Sequence, residues 1–165
     1  MPATEMDLFV QASSALCGIA QDKLAPALDP VNVKQAYFDT AQQKAPAAFA
    51  QLLKIVADRS ALPPAALADL ILNQSGDAVR FVARSIMLAW YVGSWYAPDD
   101  LRKYAGPNPP QAPIGFSVIS MDAYTRGWAW SVAQAHPMGF STMTFGYWSD
   151  PPPSLEDYIG TGATS

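Results

Sequence analysis

Up to about Arg84 the apolar positions recur every three to four residues, the spacing that lines one face of an α-helix. Beyond it the chain becomes aromatic, proline-broken and almost uncharged. Thr4 with Asp7 has the form of a helix start, and Leu8, Phe9, Ala12, Leu16 and Ile19 follow on one face, predicting a first helix over about 4–20. Asp29-Pro30 sets a capping carboxylate before a proline at the first helical position, so a second helix is expected over about 30–44, with Val33, Tyr37 and Ala41 on its face. Pro46 opens a third helix with Phe49, Leu52, Leu53 and Val56 on its buried side. Pro63-Pro64 opens a fourth with Leu67, Leu70 and Ile71. After the Ser75-Gly76 break, Val79, Val82, Ile86, Ala89, Trp90 and Gly93 form the stripe of a fifth. From Ile86 onward apolar residues surround that helix, which predicts the central, most buried one.

Nine of the fifteen prolines lie at or after Pro98, including Pro107, Pro109, Pro110 and Pro113, so the stretch from Pro98 reads as a connection. Met121 to Ala135 is expected as a short sixth helix despite Gly127, with Tyr124, Trp128 and Val132 on one side. Past His136-Pro137 an irregular arm is expected, with Gly160 to Ser165 mobile. The expected architecture is all-α: a compact bundle of five to six helices with an irregular aromatic, proline-rich C-terminal arm. It forms one domain over 1–165, with a helical body over about 4–97 and the connection, short helix and arm over about 98–160.

Composition sharpens this picture. The 165 residues suffice for a core without metals or disulfides. Hydrophobic residues make up 50% of the chain and charged residues only 15%, against about 25% in ordinary soluble chains. The deficit points to surface hidden in a complex. All five tryptophans follow Arg84, and between Tyr104 and Ser149 the only charged side chains are Asp122 and Arg126. Such a segment carries too much apolar surface for water and too little pattern for a core of its own. A net charge of -4 with scattered Lys and Arg argues against a nucleic-acid binder. The longest apolar run, Ser85 to Ala97, is too short to span a bilayer, so membrane association is expected only through a complex. Residues 1–5 carry no signal core, which leaves either a cytoplasmic protein or a leader already removed.

The chemistry-bearing residues are few. The chain has neither a G-x-G-x-x-G nor a phosphate loop, and no C-x-x-C-H. One histidine, His136, and one cysteine, Cys17, cannot supply a metal site or an iron–sulfur cluster. Cys17 falls beside the apolar stripe of the first helix, where a buried structural thiol is the expected state. His136 precedes a proline and reads as a loop residue bonded to backbone. Asp99-Asp100 and Glu156-Asp157 read as turn or helix-start acids. In the run Ala89 to Tyr96, core packing is expected for Trp90 and a partner interface for Trp95. The partner surface is assigned to Trp95, Trp128, Trp130, Phe140, Phe145, Tyr147 and Trp148, with no catalytic, cofactor-binding or metal residue.

Leu88-Ala89-Trp90-Tyr91-Val92-Gly93, at the end of an apolar helix, resembles the A-W-Y-x-G segment of the small subunits of bacterial membrane-associated, FAD-dependent sugar and polyol dehydrogenases. These include the sorbitol, fructose and glucose dehydrogenase complexes. Met121-Asp122-Ala123-Tyr124 resembles the helix that follows in that family, and Tyr147-Trp148-Ser149-Asp150-Pro151-Pro152 its closing aromatic-acidic-proline segment. The resemblance implies a noncatalytic, chaperone-like subunit without a redox centre. It would support maturation and stability of a flavoprotein of the glucose-methanol-choline type and its twin-arginine co-export to the periplasm. FAD would reside in that flavoprotein and haem c in a multihaem cytochrome c subunit at the cytoplasmic membrane. Two readings compete with it: a small cofactor-independent enzyme or ligand-binding protein with a pocket of Trp128, Trp130 and Tyr147, and a scaffold that self-associates through its aromatic surface.

Overall fold

Thr4 starts the first helix by exchanging bonds with Asp7. Its hydroxyl oxygen accepts from the Asp7 N–H at 3.1 Å, while the Asp7 carboxylate accepts from the Thr4 N–H at 2.9 Å. A computed structural model describes residues 3–137, 139–141, 146, 149–151 and 154–160, with Tyr158 described by its backbone alone. Helix α1 (Glu5–Cys17) stops at Gly18, whose φ of 68° turns the chain out of the helix, so it is shorter than its apolar pattern. A short α2 (Gln21–Leu24) follows, unsignalled by the periodicity. Helix α3 (Val33–Lys44) begins later than Asp29-Pro30 implies, because Asn32 takes a left-handed φ of 52° and Asp29 accepts its N–H at 2.8 Å in a local turn. Helix α4 (Pro46–Asp58) starts where its proline predicts. Helix α5 (Pro64–Asp69) widens into a π turn over Leu70–Gln74. There the Asp69 carboxylate accepts from Asn73 and Gln74, each at 2.7 Å, and Arg80 Nε caps the Leu72 carbonyl at 2.8 Å.

Helix α6 (Asp77–Val92) is the central element, packing on α1, α3, α4 and the π turn. The core is aromatic at its middle. The Phe9 ring meets Phe38 edge-on at 5.6 Å and Phe49 at 5.8 Å, and lies over Trp90 at 6.2 Å; Tyr37 meets Trp90 at 4.6 Å. Burying each such side chain contributes roughly 1.5–3 kcal/mol, which is why helices with modest intrinsic propensity hold together here. The mostly helical, all-α fold agrees with the periodic pattern.

After Gly93 the architecture departs from the expected connection. β1 (Ser94–Trp95) pairs antiparallel with β2 (Ser117–Val118), with Ser94 opposite Val118 and Trp95 opposite Ser117. Between them, α7 (Pro98–Tyr104) is a helix where a proline-rich connection was expected. Pro98 occupies the first helical position, where its missing N–H costs nothing. Asp99 and Asp100 sit in the first turn and bond Arg102 and Lys103 of the last at 2.9 Å. The expected sixth helix is broken at Gly127 into α8 (Met121–Thr125) and α9 (Trp128–Val132).

The break has a steric cause. A Cβ on Gly127 would stand 2.6 Å from the Tyr91 carbonyl oxygen, and one on Gly93 (φ 65°) would stand 2.4 Å from the backbone of Ala123. The α8–α9 corner therefore lies backbone-to-backbone on the end of α6. Helix α10 (Leu155–Ile159) is capped by Ser154 and Asp157, so the Glu156-Asp157 pair is a helix start and the expected irregular arm is helical there. Its Ile159 carbonyl accepts the Ala20 N–H at 2.8 Å. Helix α10 is thereby tied to the body at Ala20, and Gly160 ends it by donating its N–H to the Glu156 carbonyl at 3.0 Å.

Gly93→Ala should therefore cost more than about 2 kcal/mol, combining a backbone clash with a positive φ. Gly18→Ala, with nothing within 4 Å of its added Cβ, should cost only about 1 kcal/mol. Urea denaturation of the two variants checks the ranking. The bonds from Thr4 hold the Asp7 carboxyl below the usual 3.8. A depressed folded pKa stabilises above the unfolded value and is lost as pH falls through the folded one. The Asp7→Asn penalty in melting temperature should accordingly be present at neutral pH and vanish between about pH 5 and pH 2.

Candidate functional site

The residues assigned to a partner surface divide into four groups. Trp95 is corrected to core. It is 4% exposed, because β1 packs on α6 and its indole joins the same cluster as Trp90. Trp128 and Trp130 are half-buried. Phe140 is 53% exposed. Phe145, Tyr147 and Trp148 lie outside the described residues, as does the expected mobility of 161–165.

Among the described residues Trp128 and Trp130 line different pockets. Trp130 donates its indole N–H to the Tyr124 carbonyl at 2.9 Å and meets the Tyr124 ring edge-on at 5.8 Å. It walls an apolar groove of about 410 Å³ with Tyr91, Val92, Ala129 and Ala133. Trp128 packs against the core and lines a different cavity with Tyr37 and Trp90. The two side chains project apart because Gly127 and the short α9 set them two residues apart on a helix, where neighbours at that spacing face different ways. Of the pocket expected from Trp128, Trp130 and Tyr147, the two tryptophans thus face separate sites among the described residues, and Tyr147 lies outside them.

The most exposed apolar surface beside the groove was not assigned from sequence. Phe116 is 60% exposed, Val118 54%, Met121 66% and Tyr124 39%. Phe116 immediately precedes β2, Val118 lies in it, and Met121 and Tyr124 lie on α8, which touches β2. Phe116 is held by stacking on Tyr96 at 5.3 Å, and Tyr124 by Trp130. The signal was present in Phe116-Ser117-Val118, whose apolar-polar alternation is that of a strand, followed by Met121 and Tyr124 at helical spacing. Exposed apolar side chains this close together in the chain differ from the singly scattered ones of an ordinary surface. The elements that display them are fixed from below: Tyr91 Oη donates to the Cys17 carbonyl at 2.8 Å, Tyr37 Oη to the Ala123 carbonyl at 3.3 Å, and Ser85 Oγ to the Tyr96 carbonyl at 2.7 Å.

No protein-family model, no curated protein and no solved structure matches this chain. Function therefore rests on the residues themselves. Cys17 is buried in the core, and loss of water pushes its thiol far above the ordinary value, which leaves it protonated and poorly nucleophilic. His136 Nδ1 lies 3.1 Å from the Pro137 carbonyl oxygen, a local backbone contact of the expected kind. Among the described residues no group of three or more His, Cys, Asp or Glu is placed to hold a metal ion, and no helix is long and apolar enough to cross a membrane.

The burial of Cys17 has a direct readout. In the folded protein its reaction with a thiol-disulfide reagent such as Ellman's should be slower than in the urea-unfolded chain by about a hundredfold or more. A folded-state rate near that of a free cysteine would instead mark an accessible, reactive thiol.

Proposed function

We propose that this chain is the noncatalytic small subunit of a bacterial FAD-dependent sugar or alcohol dehydrogenase complex. In this reading it supports maturation and stability of a glucose-methanol-choline-type flavoprotein and its twin-arginine co-export to the periplasm. FAD belongs to the flavoprotein and haem c to a multihaem cytochrome c subunit, through which the complex meets the membrane. The observation that carries the reading is the exposed apolar surface of β2 and α8, Phe116, Val118, Met121 and Tyr124, set beside the groove of Trp130. It lies in the nearly charge-free stretch of the sequence, and contact surfaces are depleted of charge in the same way. The Ala89-Trp90-Tyr91-Val92-Gly93 segment adds support, because its glycine admits the backbone that carries α8. The exposed positions on that backbone are then the means of docking.

Co-expression of the tagged chain with a glucose-methanol-choline-type flavoprotein from the same genome tests this, read as co-purification, flavin content and dye-linked dehydrogenase activity. The wild-type chain should recover flavin-loaded, active flavoprotein. Val118→Glu with Met121→Glu should reduce recovery at least tenfold while leaving far-ultraviolet circular dichroism unchanged. Trp148→Ala is expected to weaken assembly by about 2 kcal/mol, roughly thirtyfold in dissociation constant. Removing the whole chain from Phe140 is a poorer test, since it also removes α10, which is bonded to Ala20. Failure of the wild-type chain to recover any flavoprotein defeats the reading, and equal recovery by the glutamate variant moves the interface elsewhere.

A further inference from the structure

On the other side of the α8–α9 corner, the α2–α3 link, α3 and α6 enclose an open cavity of about 170 Å³. Its floor and apolar wall are Leu24, Val33, Tyr37, Trp90 and Trp128. The polar groups around it are unequal in kind. Asp29, its one carboxylate, is already engaged, accepting the Asn32 N–H at 2.8 Å and facing Lys34 Nζ at 3.8 Å. Tyr37 gives its hydroxyl proton to the Ala123 carbonyl.

What remains is a set of donors. Arg126 is in no ion pair among the described residues. Among the described residues Lys23 reaches only an uncharged acceptor, the Asp157 carbonyl, at 3.4 Å. Ser131 adds a hydroxyl to the lining. The Trp90 indole N–H is buried without an acceptor among the described residues. A lining rich in donors, with its own carboxylate neutralised, reverses the sign of a chain whose net charge is -4.

We propose that this cavity binds a small carboxylate with a flat apolar body, the carboxyl group held by Arg126 and Lys23 and the body seated against Trp128 and the Tyr37–Trp90 floor. A guanidinium pairs with a carboxylate through parallel charge-assisted bonds, and aromatic walls reward a flat partner with area and stacking. The site does not depend on assembly with a flavoprotein, and binding is read on the chain itself.

Isothermal titration calorimetry on the full chain with benzoate, benzamide and acetate tests the proposal. Benzoate should bind at least about tenfold tighter than either control, since benzamide lacks the charge and acetate the body. Arg126→Gln and Lys23→Gln should each weaken benzoate by about tenfold or more without moving benzamide, and circular dichroism should be unchanged, since Arg126 and Lys23 are exposed. The proposal is overturned if benzoate binds no tighter than benzamide, if acetate matches it, or if Arg126→Gln leaves benzoate binding as it was.

Discussion

The backbone of α8 lies against the end of α6 at a separation that leaves no room for a Cβ on Gly93, and much of the second half of the chain depends on that approach. The Gly93 carbonyl accepts the Ile119 N–H at 3.0 Å, which registers the chain leaving β2 against the end of the helix. The Ala123 carbonyl is thereby brought within reach of Tyr37, and Tyr91 falls under Gly127. One glycine at a helix end thus sets the strand pair, the α8–α9 corner and the division between the apolar groove and the cavity on its other side. Glycine is needed here twice over, for its left-handed φ and for its missing side chain.

Beneath this contact the aromatic cluster of Phe9, Tyr37, Phe38, Phe49 and Trp90 joins residues from α1, α3, α4 and α6. These are the faces that periodicity marks, and they were legible because proline and glycine punctuate the helices so sharply. Pro46 and Pro64 each stand at or beside the first helical position, and Gly18 and Gly93 each end a helix in the left-handed conformation. Where the punctuation was ambiguous the reading failed. Pro98 can open a helix as readily as it ends one, and the acids and bases that settle the matter act only once the turn is formed.

The site was less legible than the fold for a related reason. An indole is equally suited to a core and to an interface, so Trp95 could be placed only by knowing that β1 folds back on α6. Conversely, the alternation Phe116-Ser117-Val118 signals a strand, but its pairing with Ser94 and Trp95 across α7 is a long-range contact that the alternation alone does not give. Trp128 and Trp130 look like one aromatic motif in sequence and belong to opposite sides of a corner in space.

The distribution of charge bears on what covers the exposed residues. The ion pairs among the described residues lie at Asp29–Lys34, on α6 and on α7, all before Tyr104. The exposed apolar side chains from Phe116 to Phe140 lie after it, in a stretch with one acid and one base. A free surface in water is normally interspersed with charge, which keeps molecules apart and covers apolar area with solvated groups. Exposed phenylalanine, valine and methionine side chains without that interspersion incur the cost of hydrating apolar area until another apolar surface covers them. Docking of the partner proposed above would remove that cost without desolvating charges.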